Sequence, residues 1–426
     1  MSEEKLVPKL RFSGFTDEWN EVTLNDVATF SKGKGISKND ISNYGIECVR
    51  YGELYTKYNE MIYNIESKTD LNKNELKLSE KNDILMPCSG ETAIDLATAS
   101  CIQKDQVAIG GDITVIKTNQ YAPFITYYLN QKKTEIAKYA QGVSIVHLYP
   151  KDFKVMNIRI PSINEQKMII GLLEEITKKE QLLESKYQQY QEFKKYLMQQ
   201  IFTQKLRFAD DENWVTVTIA NIFDNITDYV AAGSFADIRK NVTYLKDPDY
   251  AQLIRTADLK SNFTNGDFVY VDKHAFEYLW RVNLDEPCIV LPNIGNIGEV
   301  YYINPKELPY SNNALAPNAI LLKSNDNIKF KYYLLESPYF KNQLDIINEA
   351  GGRGKFNKTN LKKIKIKVPN NDLEKEKIAK CLSNVDNKLK LFNIQLIEMQ
   401  EFKKGLLQQM FVVQLILSLL QNKKHI

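Results

Sequence analysis

Cysteine is scarce in this 426-residue chain. The five present (Cys48, Cys88, Cys101, Cys288, Cys381) are scattered and never form a Cys-x-x-Cys pair. That excludes a disulfide scaffold and a zinc finger, and it suits a reducing compartment. Histidine is scarcer: His147, His274 and His425 stand apart from cysteines and carboxylates in the sequence, which argues against a metal hydrolase. Neither sign of charge dominates, with 56 Lys and Arg against 53 Asp and Glu, so the net charge is only +3. Long apolar runs are missing as well. The longest, residues 410–420, is broken by Gln414 and Ser418 and is about half of the ~20 residues a membrane span needs. The opening Met1-Ser2-Glu3-Glu4-Lys5 has no apolar signal-peptide core. The location expected is therefore the cytoplasm, with no membrane partner. What the chain does have is 43% hydrophobic residues, enough for the two or three domains that roughly 150 residues per domain implies.

The chain repeats itself. Lys9-Leu10-Arg11-Phe12 returns as Lys205-Leu206-Arg207-Phe208, followed by Trp19 and Trp214 respectively. Each Trp leads into a short alternating apolar stretch, Val22, Leu24, Val27 and then Val217, Ile219, Ile222. Residues 192–202 return as 401–411 with eight of eleven positions identical. Between these anchors the match is weaker: Ile84-Leu85-Met86-Pro87 parallels Ile289-Val290-Leu291-Pro292, and Tyr127-Tyr128-Leu129 parallels Tyr332-Tyr333-Leu334. Each half therefore reads as a lead-in, a variable globular block and a nearly fixed tail.

The tails are helical by pattern. Ile169, Leu173, Ile176, Leu183, Tyr187, Tyr190, Leu197 and Ile201 step by 4, 3, 7, 4, 3, 7 and 4. Ile378, Leu382, Val385, Phe392, Leu396, Met399, Leu406 and Met410 occupy the matching positions at an offset of 209, and Leu389 adds one more apolar residue to the second stripe. An apolar residue every 3.5 positions makes a narrow seam that another helix buries efficiently. The spacing predicts one helix over 164–202 and another over 371–411. Packed antiparallel on each other, they would form a rod with a globular block at either end. The alternative is that each helix packs on its own block.

The tails carry balanced charge, which suits a solvated face or a protein partner. The segment 351–367, beginning Gly351-Gly352-Arg353-Gly354-Lys355-Phe356-Asn357-Lys358, has seven basic residues and no acid. Its glycines let backbone N–H groups approach an anion, and its cations neutralise phosphates. Alternation at Ile364, Ile366 and Val368 predicts a closing strand with lysines on its open face. A lysine-protected edge strand is the plainer reading. The matching place in the first half, from Gln141-Gly142 through Ser144 and His147 to Lys151, is less basic, and its polar side chains suit base edges. Lys32 and Lys34 lie in a glycine–lysine loop that lacks the order of a phosphate-binding P-loop. That loop and Ala231-Ala232-Gly233-Ser234 are further candidates to face DNA. Arg50 and Arg255 open matching segments and suit either a phosphate or a carboxylate. Asn293 and Asn296 flank Gly295, where asparagine reads either as an adenine contact or as a turn residue. Asp247-Pro248-Asp249-Tyr250 has an acid where an adenine methyltransferase motif has its second proline, and it reads as a turn. No nucleophile–base arrangement stands out, so the chain reads as a binder with no catalytic residue and no metal site.

The tandem of lead-in, variable block and long helix, with Pro161…Glu165-Gln166-Lys167 opening the first helix, closely resembles the specificity subunit of type I restriction–modification systems. The Lys377-Ile378-Ala379-x-x-Leu382 segment and the repeated Lys-Leu-Arg-Phe lead-ins fit the same family. The resemblance covers essentially the whole chain. It implies an α+β fold with two mixed target-recognition domains separated by an antiparallel two-helix coiled coil, related by a pseudo-two-fold repeat. The implied boundaries are a lead-in at 1–18, the first recognition domain at 19–160, the central helix at 161–204, a second lead-in at 205–213, the second recognition domain at 214–368, and the C-terminal helix and tail at 369–426. Each recognition domain would read half of a split double-stranded DNA site. The coiled coil would set the gap and dock two modification subunits, which methylate adenine N6 with S-adenosylmethionine. Restriction subunits, using ATP and Mg, would join them, and no cofactor would sit in this chain. A DNA-binding scaffold or regulator without enzyme partners is the alternative. One departure is the apolar Val412-Val413-Gln414-Leu415-Ile416-Leu417 after Phe411. It would either weaken the closure of the tail onto the N-terminal lead-in or bury itself there.

Overall fold

A computed structural model of the chain describes residues 7–142, 146–209, 213–295, 297–351 and 355–411. The described residues form two units, one from those up to 183 together with those from 395 onward, the other from 184–394. The apolar stretch beginning at Val412 lies outside the described residues. Among those described, no helix is long and apolar enough to cross a membrane.

In the first unit a five-stranded sheet runs in the order Ala28–Lys32, Ile113–Thr118, Ile84–Pro87, Ser100–Ile102, Met61–Ile62. Its central strands are antiparallel, with Val115 opposite Leu85. These strands read as continuous apolar runs because side chains on both faces are covered. A second sheet, Ala108–Ile109, Ile46–Val49, Ser67–Thr69, Ile41–Ser42, packs beside it. The helix Ala122–Gln131 covers the first sheet with Phe124, Ile125 and Leu129, all fully buried. The alternating stretch after Trp19 becomes the strand Asn20–Thr23, paired with Asn157–Ile160. That pairing brings the two ends of the block together where the long helix starts.

The second unit repeats this plan. One sheet runs Asn225–Asp228, Ala319–Lys323, Cys288–Pro292, Tyr301–Ile303, and the other Tyr270–Val271, Ala251–Ile254, Asn313–Leu315. Val215–Thr218 pairs with Lys365–Val368 as its end-closing ribbon. In that ribbon Ile366 and Val368 are buried while Lys365 and Lys367 are exposed, as the alternation predicts. The segment just before it holds a helix, Lys358–Lys363, where a glycine loop leading into a strand is the expectation.

The long helices span Ile163–Phe202 and Asp372–Phe411, 40 residues each, or about 60 Å at ~1.5 Å per residue. Each gives one half to each unit. In the first unit Ile169, Leu173 and Ile176 share a core with Leu406, Met410 and Phe411 of the other helix. In the second, Leu197 and Ile201 share one with Ile378, Leu382 and Val385. The helices are thus antiparallel, and Tyr190 meets Phe392 edge-on at 5.2 Å. The same cores also contain the block residues Phe124 and Phe330. The helix-on-helix and helix-on-block readings therefore both hold, because each helix end is wide enough in apolar surface to satisfy two neighbours. Leu183, Tyr187, Tyr190, Leu389, Phe392, Leu396 and Met399, between those ends, are half-buried.

Repeat-related contacts hold the helices to each unit. Lys403 pairs with Glu180 at 3.1 Å in the first unit, and its counterpart Lys194 pairs with Asp386 at 2.8 Å and Glu336 at 3.1 Å in the second. Phe411 stacks on Phe124 at 5.2 Å beside Trp19, and Phe202 lies 6.2 Å from Trp214 and 6.3 Å from Phe330. The Leu10 N–H donates to the Gln409 carbonyl at 3.1 Å, as the Leu206 N–H does to Gln200 at 3.0 Å. The first lead-in thus caps the second helix through space, in the way the second lead-in caps the first helix along the chain.

The arginine of each lead-in makes a bidentate pair with a buried glutamate at the start of a long helix. Arg11 reaches Glu165 at 2.7 and 2.8 Å, and Arg207 reaches Glu374 at 2.8 and 3.0 Å. Both glutamates are 1% exposed. Next to Glu165, buried Gln166 bonds the Pro161 carbonyl and the Tyr121 N–H, which accounts for the Pro…Glu-Gln motif. Burial alone would raise the Glu374 carboxyl, but Arg207 and the Phe208 N–H hold it below the usual glutamate range. A carboxyl depressed in this way stabilises the fold above its unfolded value of about 4.3. That contribution is lost as pH falls through the folded value. Arg207→Ala leaves a buried charge unpaired and is expected to cost about 3–5 kcal/mol, whereas Arg207→Met with Glu374→Leu recovers most of it. Urea unfolding of the variants checks this. An Arg207→Ala midpoint equal to the wild type would contradict it.

Candidate nucleic-acid interface

In the first unit, the strand Ala28–Lys32 runs into a loop that packs tightly on its neighbours. The Gly33 and Lys34 N–H groups donate to the Ile113 and Ile109 carbonyls, each at 2.9 Å. A Cβ at Gly33 would fall 2.0 Å from the Gly110 carbonyl oxygen, so only glycine fits this approach. Lys34 is left exposed, and Lys32 sits 3.6 Å from Asp112 on an open surface, a pair too hydrated to be held firmly. Asp112 also lines a cavity of about 720 Å3 with Gly35, Ser37, Arg50, Tyr51 and Gly110.

Arg50 precedes the helix Tyr51–Thr56. Its N–H donates to the Glu53 carboxylate at 2.9 Å, and its guanidinium lies 3.7 Å from the same group. Its Nε is buried with no hydrogen-bond partner among the described residues. Burial pushes Glu53 upward, but Ser67, the Arg50 N–H and Lys57 together hold it below its ordinary value, so it stays charged opposite Arg50.

Gln141 and His147 exchange two backbone bonds, 2.9 and 2.7 Å. Val146–His147 pairs with Ser89–Gly90, and Ser89 Oγ lies 3.1 Å from His147 Nδ1. His147 stacks on Tyr149 at 5.8 Å and 6°, and Lys151 Nζ sits 5.8 Å from the Tyr149 ring centre. The result is a cation–aromatic–imidazole stack on half-open surface. Ser144 lies outside the described residues.

The second unit builds the same framework from different side chains. Arg255 precedes the helix Thr256–Lys260 and grips fully buried Asp258 at 2.7 and 3.1 Å. Both arginines thus meet a carboxylate three residues on. The Phe356 N–H donates to the Asn293 carbonyl at 3.1 Å, just as the Leu148 N–H donates to Cys88 at 3.0 Å. Ile294 bridges Lys355. Lys355 is exposed, whereas Lys358 is tied to Asp228 at 2.8 Å. Asn357 caps the helix Lys358–Lys363 through the Asn360 N–H at 2.9 Å, which engages its amide oxygen. Lys362, Lys363, Lys365 and Lys367 are exposed and acid-free in sequence. Asn296 and Arg353 lie outside the described residues.

In the second unit the framework therefore brings Asn293, Lys355, Asn357 and Lys358 together. In the first it gathers Arg50, Asp112 and the loop residues Gly35 and Ser37 about one cavity, while His147 and Lys151 belong to a separate stack that Ser89 holds. Arg255 does not line the cavity that Tyr229, Asn293 and Asn318 help to form in the second unit. Tyr149, Phe235 and Tyr244, which no sequence pattern marks as site residues, are 40%, 73% and 53% exposed. Ser234, which caps Phe235–Asn241, was a readable local signal for where that segment turns. Among the described residues, no group of three or more His, Cys, Asp or Glu is placed to hold a metal ion.

The model of a family described as the type I restriction modification DNA specificity domain matches this chain twice, over residues 16–192 and 211–399. Among solved structures, a type I restriction–modification system S subunit from M. genitalium is similar over 95% of this chain and 99% of its own, with a TM-score of 0.61 and 18% identity. A chain solved in work on complex assembly and conformational transition of the type I R-M system is similar over 92% of this chain and 97% of its own, with a TM-score of 0.53 and 14% identity. At these identities the likeness is one of fold.

Proposed function

Because the chain belongs to the family of type I restriction–modification DNA specificity proteins, we propose that it is the non-catalytic, DNA-reading subunit of a modification and restriction complex working in the cytoplasm. The recognition domains 19–160 and 214–368 each read one half of a bipartite double-stranded site. The paired helices set the gap between the halves and dock two modification subunits, which methylate adenine N6. S-adenosylmethionine belongs to those subunits, and ATP with Mg to the restriction subunits.

The observation that carries this reading is the repetition of one loop framework in both units at repeat-equivalent positions, with different side chains upon it. Constant scaffolding with variable tips is what reading two unlike half-sites requires, since backbone-positioning contacts and base contacts are separate tasks. A second observation supports two like partners. Exposed Leu182 and Phe402 lie on one groove in the first unit. Their counterparts at an offset of 209, Leu391 and Phe193, are 51% and 47% exposed in the second.

Binding assays of the purified chain with and without its modification subunit test the reading. Specific binding that is weak alone and tight with the partner is expected. Tight specific binding by the chain alone favours a free-standing DNA-binding regulator, and methyl transfer by the chain alone refutes the reading. Lys34→Ala and Lys355→Ala should each weaken binding across many sequences and flatten the salt dependence by about 0.9 log unit per lost phosphate contact. An unchanged slope would remove that lysine from the DNA interface.

A further inference from the structure

Beside the segment that carries Asn293 and Lys355, the second unit has a cavity of about 610 Å3. This is within the ~300–1,000 Å3 of sites that enclose small ring systems. Its walls are largely apolar and aromatic, including Tyr229, Phe235, Ile238 and Tyr244. Tyr229 is 5% exposed and fixed at its hydroxyl by Tyr244 at 3.2 Å. Phe235 stands almost free. So much open aromatic surface is costly to leave in water unless something covers it.

The polar groups of the cavity are few and placed distinctively. The Asn293 side-chain N–H donates to the Phe356 carbonyl at 3.3 Å, which fixes the orientation of the amide. Its Oδ1 is buried and has no hydrogen-bond partner among the described residues. A buried carbonyl oxygen of this kind calls for an N–H donor. The Asp228 carboxylate at the margin is neutralised by Lys358 at 2.8 Å, so it does not repel a polyanion. Exposed Arg239 is a lining residue as well, and it offers a cation for a phosphate.

Aromatic walls, an unpartnered acceptor and a nearby cation together suit a flat heterocycle that carries N–H donors and is attached to phosphate. We propose that this cavity holds an unstacked nucleobase of the DNA site, distinct from the adenine that receives the methyl group. The inference rests on the DNA-reading function proposed above. Stacking on Phe235 and Tyr244 offsets the loss of stacking in the duplex, and entry of the base uncovers the Asn293 oxygen, which then accepts from the base edge. The cavity would then add selectivity for a step that opens easily.

The test uses the chain assembled with its modification subunit on duplexes bearing its own bipartite site. 2-Aminopurine or pyrrolocytosine is placed in turn at every position of both half-sites. Fluorescence should rise several-fold at one position other than the methylated adenine. The double variant Phe235→Ala/Tyr244→Ala should lose that rise and bind the site about fivefold more weakly or worse. Val230→Trp, which fills the mouth of the cavity from an exposed position, should act in the same direction. Site-specific binding with no such rise at any position would overturn the inference and leave the DNA-reading function standing. Absence of site-specific binding by the assembled wild-type complex would instead overturn the function itself. If the double variant kept the rise but lost its modification subunit, the cavity would belong to a protein contact and the inference would fall.

Discussion

Replacing Phe402 with Asp is expected to leave the chain folded and bound to only one modification subunit, and the pair Phe193→Asp/Phe402→Asp to bind none. Phe402 is 56% exposed and rims a groove of about 610 Å3 formed with Leu172, Ile176, Leu182 and Met399. Its removal therefore takes little from the core. A carboxylate buried in a partner's apolar contact stays unpaired, at a cost of at least several kcal/mol. That is enough to lower affinity by a hundredfold or more. Phe193 is the equivalent residue 209 positions earlier and is 47% exposed, so the two substitutions should act alike and independently. Native mass spectrometry of the assembled complexes gives the count directly. Two subunits retained by the double variant would show that the partners dock elsewhere.

The second large effect concerns spacing. Seven residues inserted after Glu184 and seven after Asn393 preserve the 3.5-residue seam, because a whole heptad returns each apolar position to the same face. The insertion points lie beside the half-buried stretch of Leu183, Tyr187 and Tyr190, away from the cores that hold Ile169 and Ile378. Each helix grows by about 10 Å. The methylated half-sites should keep their sequences while the gap between them lengthens, by up to about three base pairs. An insertion in one helix alone breaks the register and should abolish binding. A gap unchanged after the double insertion would remove the helices from any measuring role.

Much of the fold was legible because repetition is an internal control. A constant offset of 209 between two heptad series identifies two like helices, whatever their surroundings. Periodicity reports that a stripe is apolar but not what covers it. The embedding of Ile169 and Leu173 among block residues as well as the facing helix was therefore out of its reach. Local signals also mark the helix starts. Arg50 and Arg255 each precede an acid by three residues, the spacing at which an N3 carboxylate caps its own helix start, and Asn357 is a residue type favoured at the N-cap itself. The pairing of Lys358 with Asp228, 130 residues away, leaves no trace in a charge count. Nor does composition separate the exposed Phe235 and Tyr244 from core aromatics, since both kinds sit among apolar neighbours in sequence.

Sequencing of methylated adenines in cells that express this chain with its modification subunit tests the central claim most directly. The account predicts one bipartite motif with a fixed gap, present only when the chain is expressed. Exchange of residues 214–368 for those of another family member should change one half of the motif and leave the other intact. Methylation that persists without the chain, or a motif whose two halves both change on that exchange, would contradict it.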